Sequence, residues 1–309
     1  MTMVRVLVVG AGAVGGHFGT LLARAGVDVT FLVRAARAER LRSEGITLVG
    51  ADGTRTTTPV PTVTAQTLRE PFDVVILAVK STAVAAALED MAPAVGPGTS
   101  VVPLLNGIDH LDAIGDRFGA RHLLGGVCLV ATQLDTDGAI RQLTPAGRIT
   151  VGELSGSVSD RVEAITKTFA PAPFETVAST TIQQDMWEKW LFMAAGGAAT
   201  VLLGGDVGQI NPVTDGTDAI RDVIAETASV LEAAGHPARG DALAQVTSTL
   251  TSPGSAFATS LYRDFRHNQT TEVEPIIGGL CRVAAQHGLS VPLLRAAAVR
   301  LRVHEAGLA

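Results

Sequence analysis

Two short stretches carry residue types that can do chemistry. The first is Gly10-Ala11-Gly12-Ala13-Val14-Gly15, a G-x-G-x-x-G directly after the apolar run VRVLVV (Val4 to Val9). A glycine triplet between a buried strand and a helix suits a pyrophosphate. Gly10 permits the tight turn, Gly12 lets the backbone approach the anion, and Gly15 allows close helix–strand packing. The helix N-terminus adds free N–H groups and a positive dipole end. The second stretch is DMWEKWLFMAAGG (Asp185 to Gly197), where Lys189 stands between the chain's only two tryptophans, Trp187 and Trp190. An ammonium among apolar side chains either snorkels to water or serves as a partly desolvated proton donor.

The end of the second strand separates NAD from NADP. An NAD site puts an acid there, on the ribose 2′-hydroxyl. This chain reads Leu32-Val33-Arg34, with no acid, and Arg34 suits a 2′-phosphate. The expected cofactor is therefore NADPH, bound by residues 10–15 and Arg34. Lys80, after the next buried strand, is placed to assist, whereas Arg37 reads as part of a solvated helix face.

The elements that must position these groups follow from periodicity. Ala13 to Ala25 has helical spacing and ends before Gly26. Asp28–Val33, Asp73–Val79 and Thr99–Leu105 are apolar strands, with a helix over Thr82–Met91 and strand and loop in the Thr-rich 54–64. Strands alternating with helices imply right-handed crossovers and a parallel, Rossmann-type doubly wound sheet. Gly126–Gln133, Gly138–Leu143 and Arg148–Leu154 read as antiparallel additions at its edge. Beyond about residue 180 only helical spacing remains, over 181–204, 215–234, 238–250, 255–267, 271–287 and 292–303. The expected fold class is α/β, with an NADP-binding domain over 1–179 and an all-helical domain for substrate and dimerisation over 180–309.

Bulk properties narrow the function. The 309 residues are 47% hydrophobic and 17% charged, with a net charge of −6. An acidic balance argues against a general nucleic-acid binder. No apolar run is long enough for a membrane span and no leader is evident, so a cytoplasmic protein is expected. Cys128 and Cys281 match no metal spacing and read as thiols rather than a disulfide. The histidines His17, His110, His267 and His287 form no ligand set, so no metal is expected, and they read as surface or locally hydrogen-bonded residues.

Four segments together resemble the ketopantoate reductase (2-dehydropantoate 2-reductase) family over nearly the whole chain: VLVVGAGAVGG, LLNG (Leu104 to Gly107), WEKW (Trp187 to Trp190) and SLYRDF…TEVEPIIG (Ser260 to Gly278). The resemblance implies reduction of a 2-keto acid and a place in pantothenate biosynthesis. It makes Lys189 the general acid and Glu272 the group that holds substrate and orients the lysine. Ser260 would bind the substrate carboxylate, and Asn106 would lie near the nicotinamide and the carbonyl. Residue by residue, the bland readings are a helix start for Glu272, a helix serine for Ser260 and a turn for Asn106-Gly107. Thr271 and Glu274 fit a capping box, S/T-x-x-E, which would leave Glu272 surplus to helix initiation.

One departure bears on substrate. The family carries asparagines one and two turns after its lysine, and here those positions are Met193 and Gly197. A wall of small and apolar residues implies a less polar or bulkier 2-keto acid than ketopantoate. The alternatives are a D-2-hydroxyacid dehydrogenase acting on another aliphatic or aromatic 2-keto acid, a non-catalytic NADP-binding sensor, and another Rossmann-plus-helical dehydrogenase. A homodimer is expected as the commonest oligomer.

Overall fold

The computed structural model describes residues 4–308. The chain divides into two compact units, one formed by residues up to Leu105 with His110–Gln183, the other by Asn106–Asp109 with residues from Gln184 onward. The main break thus falls a few residues past Ser179. The excursion of Asn106–Asp109 into the second unit has no counterpart in the sequence pattern.

In chain order the first part of the molecule contains β1 (Arg5–Val9), α1 (Ala13–Arg24), β2 (Asp28–Leu32), α2 (Ala35–Glu44), β3 (Ile46–Val49), β4 (Arg55–Thr58), β5 (Thr62–Val63) and β6 (Val74–Leu77). It continues through α3 (Val84–Met91), β7 (Ser100–Pro103), α4 (Asp109–Phe118), β8 (Gly125–Leu134), β9 (Ile140–Gly152), α5 (Asp160–Phe169) and β10 (Glu175–Ala178). Five parallel strands form one sheet in the order β5-β2-β1-β6-β7. Strands succeed one another outward from β1 on one side and from β6 on the other. The order therefore reverses between β1 and β6, where such sheets bind ligands at their carboxyl ends. Val6, Leu7, Val8, Val75, Ile76 and Leu77 are fully buried, which is why these strands read as unbroken apolar runs. Register places Val9 beside both Leu32 and Leu77, so the segments leaving β1, β2 and β6 emerge at one edge.

The expected edge additions form a second sheet instead. Its order is β10-β9-β3-β4, with β8 pairing antiparallel to β9. The two short strands expected over 138–143 and 148–154 are one strand, β9. Val130 pairs with Gly147 and Thr132 with Gln142, so the residues between are bulged out opposite Ala131. Pro145, which cannot donate to a ladder, lies in that bulge and gives the local sequence the look of a turn.

Helix α1 joins the two sheets in a single core. Phe18 is fully buried and meets Phe174 edge-on at 4.9 Å, and Gly19 lets Phe31 approach. A Schellman pattern ends α1: Gly26 (φ +86°) donates to the Ala23 carbonyl and Val27 to that of Leu22. His17, read from the sequence as a surface or locally hydrogen-bonded residue, is buried with both ring nitrogens unpartnered, and so is the hydroxyl of Thr20 one turn on. His110 is also buried, whereas His267 and His287 are exposed.

The second unit is helical: α6 (Ile182–Leu203, its first two residues in the other unit), α7 (Val207–Ile210), α8 (Gly216–Ala233), α9 (Gly240–Leu250), α10 (Ser260–Arg266), α11 (Gly279–Gln286) and α12 (Pro292–Ala306). No strand follows Ala178 among the described residues. Helix α6 is the central element, with Leu191, Ala194, Ala195, Ala198, Ala199 and Val201 buried against the others. Among the described residues no helix is long and apolar enough to cross a membrane.

Burial lowers the His17 pKa to about 4. The folded state therefore binds this proton less readily than the unfolded chain. His17 stability is full above about pH 6.5 and declines as pH falls toward 4. His17→Leu removes no hydrogen bond and is expected to flatten this decline, read as a denaturant midpoint at pH 5 closer to that at pH 7.5 than in the unaltered chain.

Candidate active site

In the first unit the three loop glycines have different physical reasons. Gly10 has φ +98°, and a β-carbon on it would stand 2.6 Å from the Ala78 carbonyl oxygen. One on Gly15 would stand 2.2 Å from the carbonyl oxygen of Gly10. Both positions are closed by the protein itself. At Gly12, φ is −87° and a β-carbon would meet nothing within 4 Å. Neither backbone conformation nor packing demands glycine there. Helix α1 begins beside it without an acidic residue in its first turn, so its positive end is not offset by a side chain.

Ala11 is buried and Ala13 and Val14 half-buried around this turn. Arg34 is the exposed N-cap of α2 and Lys80 the exposed residue preceding a short 3₁₀ turn (Ser81–Ala83), so both stand just past the carboxyl ends of the strands flanking β1. Arg37, read as solvated, is half-buried, and burial followed by repulsion from Arg40 lowers its pKa.

In the second unit α6 presents Lys189, Met193 and Gly197 along one strip, four residues apart. Lys189 is half-buried. Its tryptophan neighbours turn to other partners. Trp187 stacks on His236 at 4.8 Å, and the Trp190 indole N–H donates to the Ile276 carbonyl at 2.7 Å. Between them Glu188 is buried and accepts from the Arg239 backbone N–H (2.9 Å), from Arg239 Nε (2.9 and 3.1 Å) and from Gln184 Nε2 (2.9 Å). Burial alone pushes this carboxyl up, but the bonds from Arg239 and Gln184 reverse that and hold it below the usual glutamate range. Glu188 thus anchors the Lys189 turn to the segment entering α9, a role with no signal in WEKW because Arg239 lies 51 residues on.

Glu272 is half-buried and accepts from Asn106 Nδ2 at 3.0 Å. The structure thereby brings together two candidates 166 residues apart. The capping box expected of Thr271 and Glu274 is absent. The Thr271 hydroxyl and backbone N–H both donate to Glu305, at 2.6 and 3.0 Å, and Glu274 pairs with Arg302 and Arg282. A π-turn, Glu274–Gly278, replaces an ordinary helix start, with Pro275 near its beginning. The segment 106–109 docks beside it. Gly107 (φ +72°) would place a β-carbon 2.4 Å from the Pro275 carbonyl oxygen, and Asp109 pairs with Arg282.

Ser260 is half-buried in the first position of α10, but Thr259 supplies the helix cap by accepting from the Tyr262 N–H. Gly197 is packed against the same segment. A β-carbon there would stand 2.9 Å from Leu261 Cδ2. The space that a larger side chain would need is filled by Leu261, so Gly197 does not widen a cavity.

A doubly wound parallel sheet with a phosphate-type turn, followed by a helical unit bearing lysine, glutamate and asparagine, is the build of a two-domain oxidoreductase. The chain belongs to the ketopantoate reductase family: the family model described as ketopantoate reductase PanE/ApbA matches residues 6–156, and its C-terminal counterpart matches residues 181–305. An uncharacterized oxidoreductase of Bacillus subtilis, YkpB, is 33% identical over 302 residues, covering 98% of this chain and 99% of that one. A 2-dehydropantoate 2-reductase of Halobacterium salinarum is 27% identical over 303 residues, covering 97% and 98%. A solved D-mandelate dehydrogenase with NADH and anilino(oxo)acetate superposes with a TM-score of 0.87 over 98% of this chain and 99% of its own, and its 19% identity speaks to fold alone.

The glycine geometry separates stability from binding. Gly15→Ala is expected to lower unfolding free energy by about 1–3 kcal/mol through overpacking. Gly12→Ala is expected to stay within about 1 kcal/mol of the unaltered protein, while its affinity for nicotinamide dinucleotide falls at least tenfold. Denaturant titration beside fluorescence titration with the dinucleotide checks both.

Proposed function

We propose that the protein reduces a 2-keto acid to the corresponding 2-hydroxy acid with NADPH, using Lys189 as proton donor. The observation that carries this reading is the Asn106–Glu272 hydrogen bond in the helical unit. A half-buried carboxylate oriented by an amide, in a segment tied by Trp190 to the Lys189 helix, is the arrangement that positions an acid. NADPH, when bound, supplies the hydride that becomes the C2–H of the product. Residues 10–15 hold its pyrophosphate by backbone N–H groups, and Arg34 and Lys80 hold the 2′-phosphate.

Lys189 Nζ gives its proton to the carbonyl oxygen as negative charge develops there, and then regains one from solvent. Glu272 orients the ammonium and substrate, Ser260 donates to the substrate carboxylate, and Asn106 fixes Glu272 while standing near the carbonyl. Met193, and Gly197 with Leu261 against it, offer no amide to a substrate hydroxyl, which favours an unhydroxylated aliphatic or aromatic side chain. That observation also supports the second reading, a D-2-hydroxyacid dehydrogenase, which uses the same residues. We assign 1–179 to cofactor and 180–309 to substrate and dimerisation, and place the enzyme in the cytoplasm as a homodimer.

Arg34→Ala is expected to weaken NADPH binding roughly 10- to 100-fold, the worth of one charge-assisted contact, and to leave NADH binding unchanged. Equal effects on both cofactors contradict the 2′-phosphate role. Lys189→Ala is expected to reduce kcat by about 10²- to 10⁴-fold at unchanged NADPH affinity. Near-full activity in that variant contradicts the mechanism.

A further inference from the structure

The tie between the Lys189 helix and the Glu272 segment is a continuous chain of contacts centred on one side chain. Trp190 is buried, and its indole N–H donates to the Ile276 carbonyl at 2.7 Å. The other face of that residue points back along the chain, since the Ile276 N–H donates to the Glu272 carbonyl at 3.3 Å. The indole also lies against Gly279, where a β-carbon would stand 2.8 Å from Trp190 Cζ2. Any side chain at that position would push the ring away. On the opposite flank, the Pro275 carbonyl is met by Gly107, whose neighbour Asn106 holds the Glu272 carboxylate. Ahead of it, Glu305 fixes Thr271 through two bonds.

Glu272 is thus gripped from before, from behind and at its carboxylate. A π-turn has wider, less regular hydrogen bonding than an α-helix, so its geometry depends on outside partners. Trp190 is the one outside partner that also adjoins Lys189 in sequence, so a single side chain couples the placement of both groups.

We infer that Trp190 is a positioning residue that holds the Glu274–Gly278 π-turn through its indole N–H and thereby sets Glu272 in register with Lys189. The inference rests on the proposed pairing of Lys189 with Glu272. Trp190 touches neither substrate nor cofactor in this account. It acts through the Ile276 peptide, and its removal perturbs turnover rather than affinity, because a displacement of about 1 Å in a positioned group slows a reaction far more than it weakens binding.

The test uses the full chain with 2-oxoisovalerate and NADPH. Trp190→Phe keeps an aromatic ring and removes the donor. Its kcat is expected to fall on the order of tenfold, with KM and NADPH affinity within about twofold. Gly279→Ala, which keeps the indole N–H but displaces the ring, is expected to shift kcat the same way. Unchanged kcat in both variants overturns the inference, and so does a loss confined to KM. A readout free of activity keeps this outcome distinct from a failure of the proposed reaction. Hydrogen exchange of the Ile276 amide should quicken in Trp190→Phe while amides of α8 keep their protection. If the unaltered chain reduces no 2-keto acid, the exchange result still decides, and an Ile276 amide as protected as before overturns the clamp.

Discussion

The 3.0 Å hydrogen bond from Asn106 to Glu272 is the contact on which the functional account depends. A carboxylate left in a half-buried position without a donor would be costly and conformationally loose. With the amide in place it has a fixed direction. To make that bond the chain takes Asn106–Asp109 out of the first unit and docks it on the second, with Gly107 close on Pro275 and Asp109 on Arg282. The glycine is required by its φ of +72° and by the 2.4 Å that would separate a β-carbon from the Pro275 carbonyl oxygen. What reads locally as an Asn-Gly turn is a long-range contact to the site.

The same distinction between local and distant signals explains what was legible in the sequence. The phosphate turn was legible because strand, glycines and helix are contiguous in the chain. The helical half was legible because 3.6-residue periodicity is local. The second sheet was not, because β3 pairs with β9 across roughly ninety residues and no period records a partner. Nor was the continuity of β9, since a bulge containing Pro145 mimics a turn. The capping box failed for a related reason. Thr271 and Glu274 have the right spacing, but Glu305, Arg282 and Arg302 compete for them from other helices.

Within WEKW, sequence alone ranks the lysine first and treats its neighbours as surroundings. The structure gives each neighbour a task. Trp187 packs on His236, Glu188 binds Arg239, and Trp190 reaches the π-turn. A half-buried lysine on a helix held at Trp187, Glu188 and Trp190 has little freedom of backbone. The small residues that follow let Leu261 and Thr259 approach α6 closely. Low polarity there accompanies tight helix packing.

The central claim is that this member of the ketopantoate reductase family reduces an apolar 2-keto acid. The most direct measurement is NADPH oxidation across a panel of 2-keto acids that includes ketopantoate, branched aliphatic acids and phenylglyoxylate. The account predicts kcat/KM for an unhydroxylated aliphatic or aromatic acid well above that for ketopantoate. Efficient turnover of ketopantoate above the rest of the panel, or no oxidation with any of them, would contradict it.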